Sequence, residues 1–320
     1  MRSIARAFRL CKTAACPIAG EVHHSSTSTP SSRELIAGAG AFFLWGILPL
    51  YWKSLSEIPP TTIIAHRTLW SLIMLWAILA VKGRAFSTLR ELRRPSVVLW
   101  HLLSGFLLAD NWLLYVWATL NGHIIEGAQG YYLNPFFNML FGFLFFGERQ
   151  NRLQQVSIAL ALMGVILQFQ GQQGFPWIAI ALALSFSLYA VVRKKSPLES
   201  LPALCVETLL LVPIAIIWLF VKTPTILDSL QTLNATSILL VCTGIATATP
   251  LLLFGFAAKN ISLSTLGILQ FIGPSIQFLL GWLHYGEPMT LHRTIAFVMI
   301  WSAIALYLVS LRKKQMNTDH

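Results

Sequence analysis

A chain of 320 residues with 56% apolar and only 11% charged residues is far from a soluble domain, where about a quarter of residues carry charge. The deficit extends over nearly the whole length, at mean hydropathy +0.67, which excludes one anchor on a soluble body and leaves a polytopic membrane protein. The net charge of +11 does not point to nucleic acid, because the basic residues cluster at the ends of apolar runs and form no long basic face.

Residues 1–33 differ from the rest. Arg6, Arg9 and Lys12 break any signal-peptide core, so a flexible cytoplasmic tail is expected there. Cys11 and Cys16 lack both CxxC spacing and a histidine partner, while Cys205 and Cys242 lie inside apolar runs, so neither a disulfide nor a metal site is expected. A helix crossing the hydrocarbon needs about 20 mostly apolar residues. Ten such runs follow, at 35–53, 61–81, 97–119, 126–146, 153–170, 176–192, 203–221, 236–257, 263–284 and 291–311, before a C-terminal tail at 312–320.

Lysine and arginine set the orientation. With the N-terminus inside, 19 of the 23 basic residues fall on inner segments, and Lys53, Lys222 and Arg293 on outer ones. The remaining one, Arg67, lies within the second span. Both termini are therefore expected on the cytoplasmic side.

The fourth run contains YLNPFFNMLFGFLFFGE (132–148), and FIGPSIQFLLGWLHYGE (271–287) returns 139 residues later with six of seventeen positions identical. Asn121 falls on Asn260 and Ala118 on Ala257 at the same offset. The chain thus reads as two five-helix halves, 34–171 and 172–311, and because five is odd they cross the membrane in opposite senses. Inverted repeats of this kind suit secondary transporters, with a substrate site near mid-membrane. Gly127, Tyr131, Asn134, Asn138 and Gly142 share one helical face, and Leu266, Gln270, Gly273, Gln277 and Gly281 share the corresponding one. Such stripes line a cavity or pack helices closely, and the repetition favours the cavity. Pro135 and Pro274 are candidate kinks for gating, since each removes a backbone donor.

Few ionisable residues lie inside the spans: His66, Arg67, His101, Asp110 and Glu207, with Glu126 and Lys53 near the outer rim. A mid-helix arginine costs about 2.5–3.5 kcal/mol on insertion scales, so a partner is expected. Arg67 and Asp110 agree in depth within about 5 Å at 1.5 Å rise per residue, which makes them the leading pair, with Glu126 the rival. His66 and Glu207 fall on each other at offset 141 and are candidates for proton coupling. Trp45, Trp70, Trp112, Tyr115 and Trp117 either stack a flat ligand or anchor the interface.

The segments WGILPLYWK (45–53), AHRTLWS (65–71), NWLLYVWA (111–118), NP…GER (134–149) and LSTLGILQFIGPSIQFLLGWLHYGE (263–287) resemble the RarD-type branch of the EamA transporters, in the drug/metabolite transporter superfamily. The resemblance covers about 35–311. It implies ten helices in two inverted halves, a central cavity, and export of small metabolites or drugs across the bacterial cytoplasmic (inner) membrane. The family pattern often places an acidic residue four positions before the HR pair; here Thr62 stands there, which removes one partner for Arg67.

The expectation is an all-α polytopic membrane protein of ten transmembrane helices in two inverted five-helix repeats, working as a secondary exporter by alternating access. His66, Arg67, Asp110, Trp112, Tyr115, Tyr131, Asn134, Asn138, Gln270 and Gln277 are its candidate cavity residues. Its partners are a small amphipathic substrate, the lipid bilayer and a coupling proton, without cofactor or metal. The alternative is an intramembrane enzyme acting on a lipid or small metabolite, against which stand the missing HExxH, GxGD and GxSG motifs.

Overall fold

The computed structural model describes residues 31–120, 123–169, 175–222, 235–284 and 291–316, and among them every regular element is a helix. In chain order these are α1 (Ser32–Lys53), α2 (Pro60–Val81), the short α3 (Ala85–Glu91), α4 (Pro95–Leu120), α5 (Ile124–Phe146) and α6 (Arg152–Gln168), followed by α7 (Trp177–Lys195), α8 (Ser200–Lys222), α9 (Ala235–Asn260), α10 (Leu263–Gln270), α11 (Ile272–Leu283) and α12 (Leu291–Met316). Among the described residues, eight helical stretches are long and apolar enough to cross a membrane, α10 and α11 counting as one, and α6 is a shorter apolar helix. The tail through residue 30, Gly286–Glu287 and the end of the C-terminal tail lie outside the described residues.

Helices dominate because hydrocarbon offers backbone groups no partner outside the chain. Their starts are set by polar side chains that accept the first free N–H groups. Glu34 Oε2 accepts from Ser31 N (2.7 Å) before α1, Asn151 Oδ1 from Gln154 N (2.9 Å) at α6, and Ser262 Oγ from Thr265 N (3.1 Å) at α10. At the end of α5 the chain turns through Gly147, whose φ of 65° favours a residue without Cβ.

The centre of the bundle is aromatic. Phe42 and Trp45 of α1, Phe186 and Tyr189 of α7, and Phe254 of α9 place their ring centroids 5.2–6.0 Å apart. Around this junction α7 packs against α4, α5 and α9, while α1 packs against α9, α10 and α11. Helix α2 lies against α8 and α9, and α6 against α12.

One expected span is not continuous. The run 263–284 breaks at Phe271, whose N–H bonds Ile268 O at 3.3 Å in a tighter turn. The ring of Pro274 crowds the carbonyl of Gln270, four residues earlier, and offers it no N–H. Its repeat counterpart Pro135 stands inside an unbroken α5.

Candidate functional site

Between α2, α4, α8 and α9 lies a narrow cavity of about 10 Å³, room for about one water. Thr68 and Ser71 of α2, Leu108 and Trp112 of α4, Glu207 and Thr208 of α8, and Thr247 of α9 line it. Most of its hydroxyls are spent on helix carbonyls: Thr68 donates to Ile64 O (2.9 Å), Ser71 to Gly244 O (3.3 Å) and Thr208 to Leu204 O (2.9 Å). The buried Thr247 hydroxyl has no partner among the described residues and is left to the cavity.

At one end of the cavity stands Trp112. The Arg67 guanidinium lies 3.8 Å from its ring centroid and 5.6 Å from that of Trp52, and Tyr131 lies within electrostatic range. Tyr131 and Tyr115 pack ring to ring at 5.6 Å. A desolvated cation over tryptophan gains about 2 kcal/mol, which offsets much of the cost of bringing arginine into the membrane. Arg67 Nε has no hydrogen-bond partner, and no ion pair joins Arg67 to a carboxylate among the described residues. The structure thus gathers Arg67, Trp112, Tyr115 and Tyr131 into one cationic, aromatic corner. The side chain of Glu126 lies outside the described residues.

Asp110 is elsewhere. It is exposed, in line with Leu99, Leu103, Phe106, Leu113 and Trp117 on the outward face of α4. Its depth matches that of Arg67, but two residues along an α-helix Trp112 points about 200° away, and only that face meets the cavity.

At the other end of the cavity Glu207 belongs to a buried network. Its Oε1 accepts from Arg193 Nη1 (3.0 Å) and Ser104 Oγ (2.6 Å) and lies 3.4 Å from His101 Nδ1, while Oε2 accepts from Tyr189 Oη (3.3 Å). Arg193 also donates to Ser200 O (3.1 Å), and His101 Nε2 lies 3.4 Å from Ser196 Oγ. The sequence marks Glu207 and His101 as ionisable, but Arg193 hides in the run Arg193–Lys195, which reads as a solvated helix end. On a helix the three side chains point about 100° apart, and Arg193 is the one fully buried, at 2% exposure. The other candidate for proton coupling, His66, is buried with neither ring nitrogen partnered among the described residues, and it does not line the cavity.

The amides of the repeated stripe join helices. Asn138 Nδ2 donates to Gln270 Oε1 (2.8 Å) between α5 and α10, and Gln277 Nε2 donates to Trp45 O (3.3 Å) between α11 and α1. Asn134 accepts at its backbone O from Ser187 of α7 (3.2 Å). None of the four lines the cavity. Near the basic end, the Glu148 carboxylate accepts from Leu263 N (2.8 Å), Ser264 N (3.0 Å) and Ser264 Oγ (2.8 Å), tying the end of α5 to the start of α10. Gly142 leaves the space that Glu148 Oε2 fills.

Residues 32–170 match the EamA-like transporter family. Protein RarD of Salmonella typhi is 38% identical over 87% of this chain and 95% of its own length, and Protein RarD of Escherichia coli is 36% identical over 90% and 97%. The Chloramphenicol-sensitive protein RarD of Pseudomonas aeruginosa is 27% identical over 86% and 93%. A solved crystal structure superposes with a TM-score of 0.68 at 21% identity, covering 87% of this chain and 98% of that one, and so shares the fold.

Proposed function

The chain belongs to the EamA-like transporter family, on its RarD-type branch, and from that premise we propose that it is a secondary transporter exporting a small amphipathic zwitterion across the bacterial inner membrane. Substrate moves through the cavity by alternating access between ten spans, built as inverted halves 34–171 and 172–311 with both termini cytoplasmic. Three observations support this layout. The family match ends within two residues of the first half. Neighbours also correspond under exchange of the halves: α5 packs on α7 as α10 and α11 pack on α1, and α4 packs on α7 as α9 packs on α1. Finally, the basic residues favour one side by 19 to 3.

The observation that carries the substrate class is Arg67 stacked on the cavity-lining Trp112 without a carboxylate partner among the described residues. A ligand carboxylate completes the missing charge, and its apolar body lies along Trp112, Leu108 and the hydroxyls of α2 and α9. Taking substrate from the cytoplasm and releasing it outside needs the helices to part, because the cavity holds about one water. Pro274, at the break between α10 and α11, is the hinge this reading favours; Pro135 gives the counterpart a weak point in α5.

The test is a thermal-shift screen of purified protein and Arg67→Gln with amino acids, nucleobases, organic acids and amphenicols. A carboxylate-bearing ligand at 100 times its Kd adds about 2.7 kcal/mol to the wild type and loses that effect in a folded Arg67→Gln. Equal stabilisation of both proteins by the best ligand would sink the assignment to Arg67. Turnover of that ligand by purified protein would replace a transporter with an enzyme.

A further inference from the structure

We propose that His101 and Glu207 form a proton relay from the central cavity to Ser196, at the basic end of the bundle, so that the proton is the coupling ion; the coupling rests on the transporter reading, the relay does not. Glu207 stands where the relay meets the cavity. One side of it lines the cavity, and the other faces the His101 imidazole, which sits 3.4 Å from Glu207 Oε1 through Nδ1 and 3.4 Å from Ser196 Oγ through Nε2. Ser196 belongs to the short connection between α7 and α8, where its Oγ also accepts from Leu198 N (3.2 Å). All three groups are buried, His101 at 0%, Glu207 at 1% and Ser196 at 6% exposure, so the chain runs inside the protein from the cavity to the connection between α7 and α8.

The relay balances in one proton. A proton from water or substrate in the cavity binds Glu207 and passes from Oε1 to Nδ1 of the neutral ring, while the Nε2 proton leaves by way of Ser196, whose hydroxyl donates onward to Leu198 O (3.2 Å). The ring is left neutral as the other tautomer, and Glu207 is left as the carboxylate. The charged and titratable groups around the pair come from every packed element. Helix α4 supplies Ser104 beside His101, α7 supplies Tyr189 and Arg193, and α9 supplies Lys259, whose Nζ donates to Leu198 O (2.7 Å). Glu199 of the same connection is paired outward with Arg84 at 2.6 Å. With Arg193 3.0 Å from the carboxylate, a proton on Glu207 cancels the charge that joins α7 to α8, so proton arrival also loosens the basic end. His66 offers no such chain, since its ring nitrogens have no partner among the described residues.

The experiment is infrared difference spectroscopy of the purified full chain after a drop in pH. The expected spectrum contains an imidazole signal that His101→Leu removes. That variant keeps the Arg193–Glu207 pair, and an unchanged melting temperature at neutral pH verifies its fold. After a rapid drop in pH, Ser196→Ala reaches the same end point about tenfold more slowly. A signal that persists in folded His101→Leu overturns the pair as the proton site, and an unchanged rate in Ser196→Ala overturns the route. Neither measurement uses a substrate, so their failure leaves the transport reading standing, and a failed ligand screen leaves the relay standing.

Discussion

Arg67 brings its charge into the bundle against the face of Trp112, at 3.8 Å from the ring centroid, and the energy of that stack replaces much of what an ion pair would supply. Asp110 receives no comparable compensation, being exposed on a face otherwise made of leucine, phenylalanine and tryptophan. Removing its carboxyl should therefore cost nothing. Asp110→Leu is expected to leave the melting temperature of purified protein unchanged or raised. In a double-mutant cycle with Arg67→Gln its coupling should be below about 0.5 kcal/mol, because the two groups share no contact. Coupling well above that value would restore the pairing that depth alone suggests. The Glu207 network predicts the opposite pattern. Arg193→Met alone should destabilise by about 3–5 kcal/mol, since it leaves the Glu207 carboxylate buried and without its cation. The double variant Arg193→Met/Glu207→Leu should recover most of that loss in a denaturation series, and no recovery would mean that packing, not charge, dominates at this site.

Beyond their apolar packing, helices are joined here at their ends and through single polar side chains. The Glu148 carboxylate occupies the N-terminus of α10, where three donors converge and the helix dipole favours negative charge. Glu148→Ala is expected to lower stability by about 2 kcal/mol, and Glu148→Gln by less, since an amide oxygen still accepts. If thermal unfolding leaves Glu148→Ala indistinguishable from wild type, the link between α5 and α10 is carried by packing at Pro135 and Gly267 instead. There the approach is close, as a Cβ on Gly267 would stand 2.8 Å from Pro135 O. The repeated amides belong to this element scale too. Asn138–Gln270 and Gln277–Trp45 hold α5, α10, α11 and α1 together in a solvent where an unmatched amide is costly.

For the whole molecule, the layout of the proposal is testable without a ligand. Glu57, in the connection after α1, and Arg90, at the end of α3, are both exposed and lie on opposite sides of α2. In a background with Cys11, Cys16, Cys205 and Cys242 replaced, Arg90→Cys should react with membrane-impermeant reagents only when the cytoplasmic side is opened. Glu57→Cys should react in intact cells once the outer membrane is permeabilised. The reverse result would invert the orientation drawn from the basic residues. The same layout places Arg67 and Trp112 toward the outer half and the Glu207 network toward the inner half, with the cavity between them.

Helix positions, membrane residence and family were legible in the residues themselves, because each rests on local quantities: the length of an apolar run, a basic excess at its ends, and five motifs in order. Of the ten cavity residues the sequence suggests, Arg67, Trp112, Tyr115 and Tyr131 lie beside one another. Asp110 faces outward on α4, and Asn138, Gln270 and Gln277 bond from helix to helix. Arg193, Ser104 and Tyr189 carried no readable signal of their roles, and His101 none beyond its ionisable ring. A sequence determines how deep a residue sits and which neighbours share its helical face. The azimuth of that face toward cavity, lipid or another helix is set by how all the helices pack around one another, and only the tertiary structure decides it.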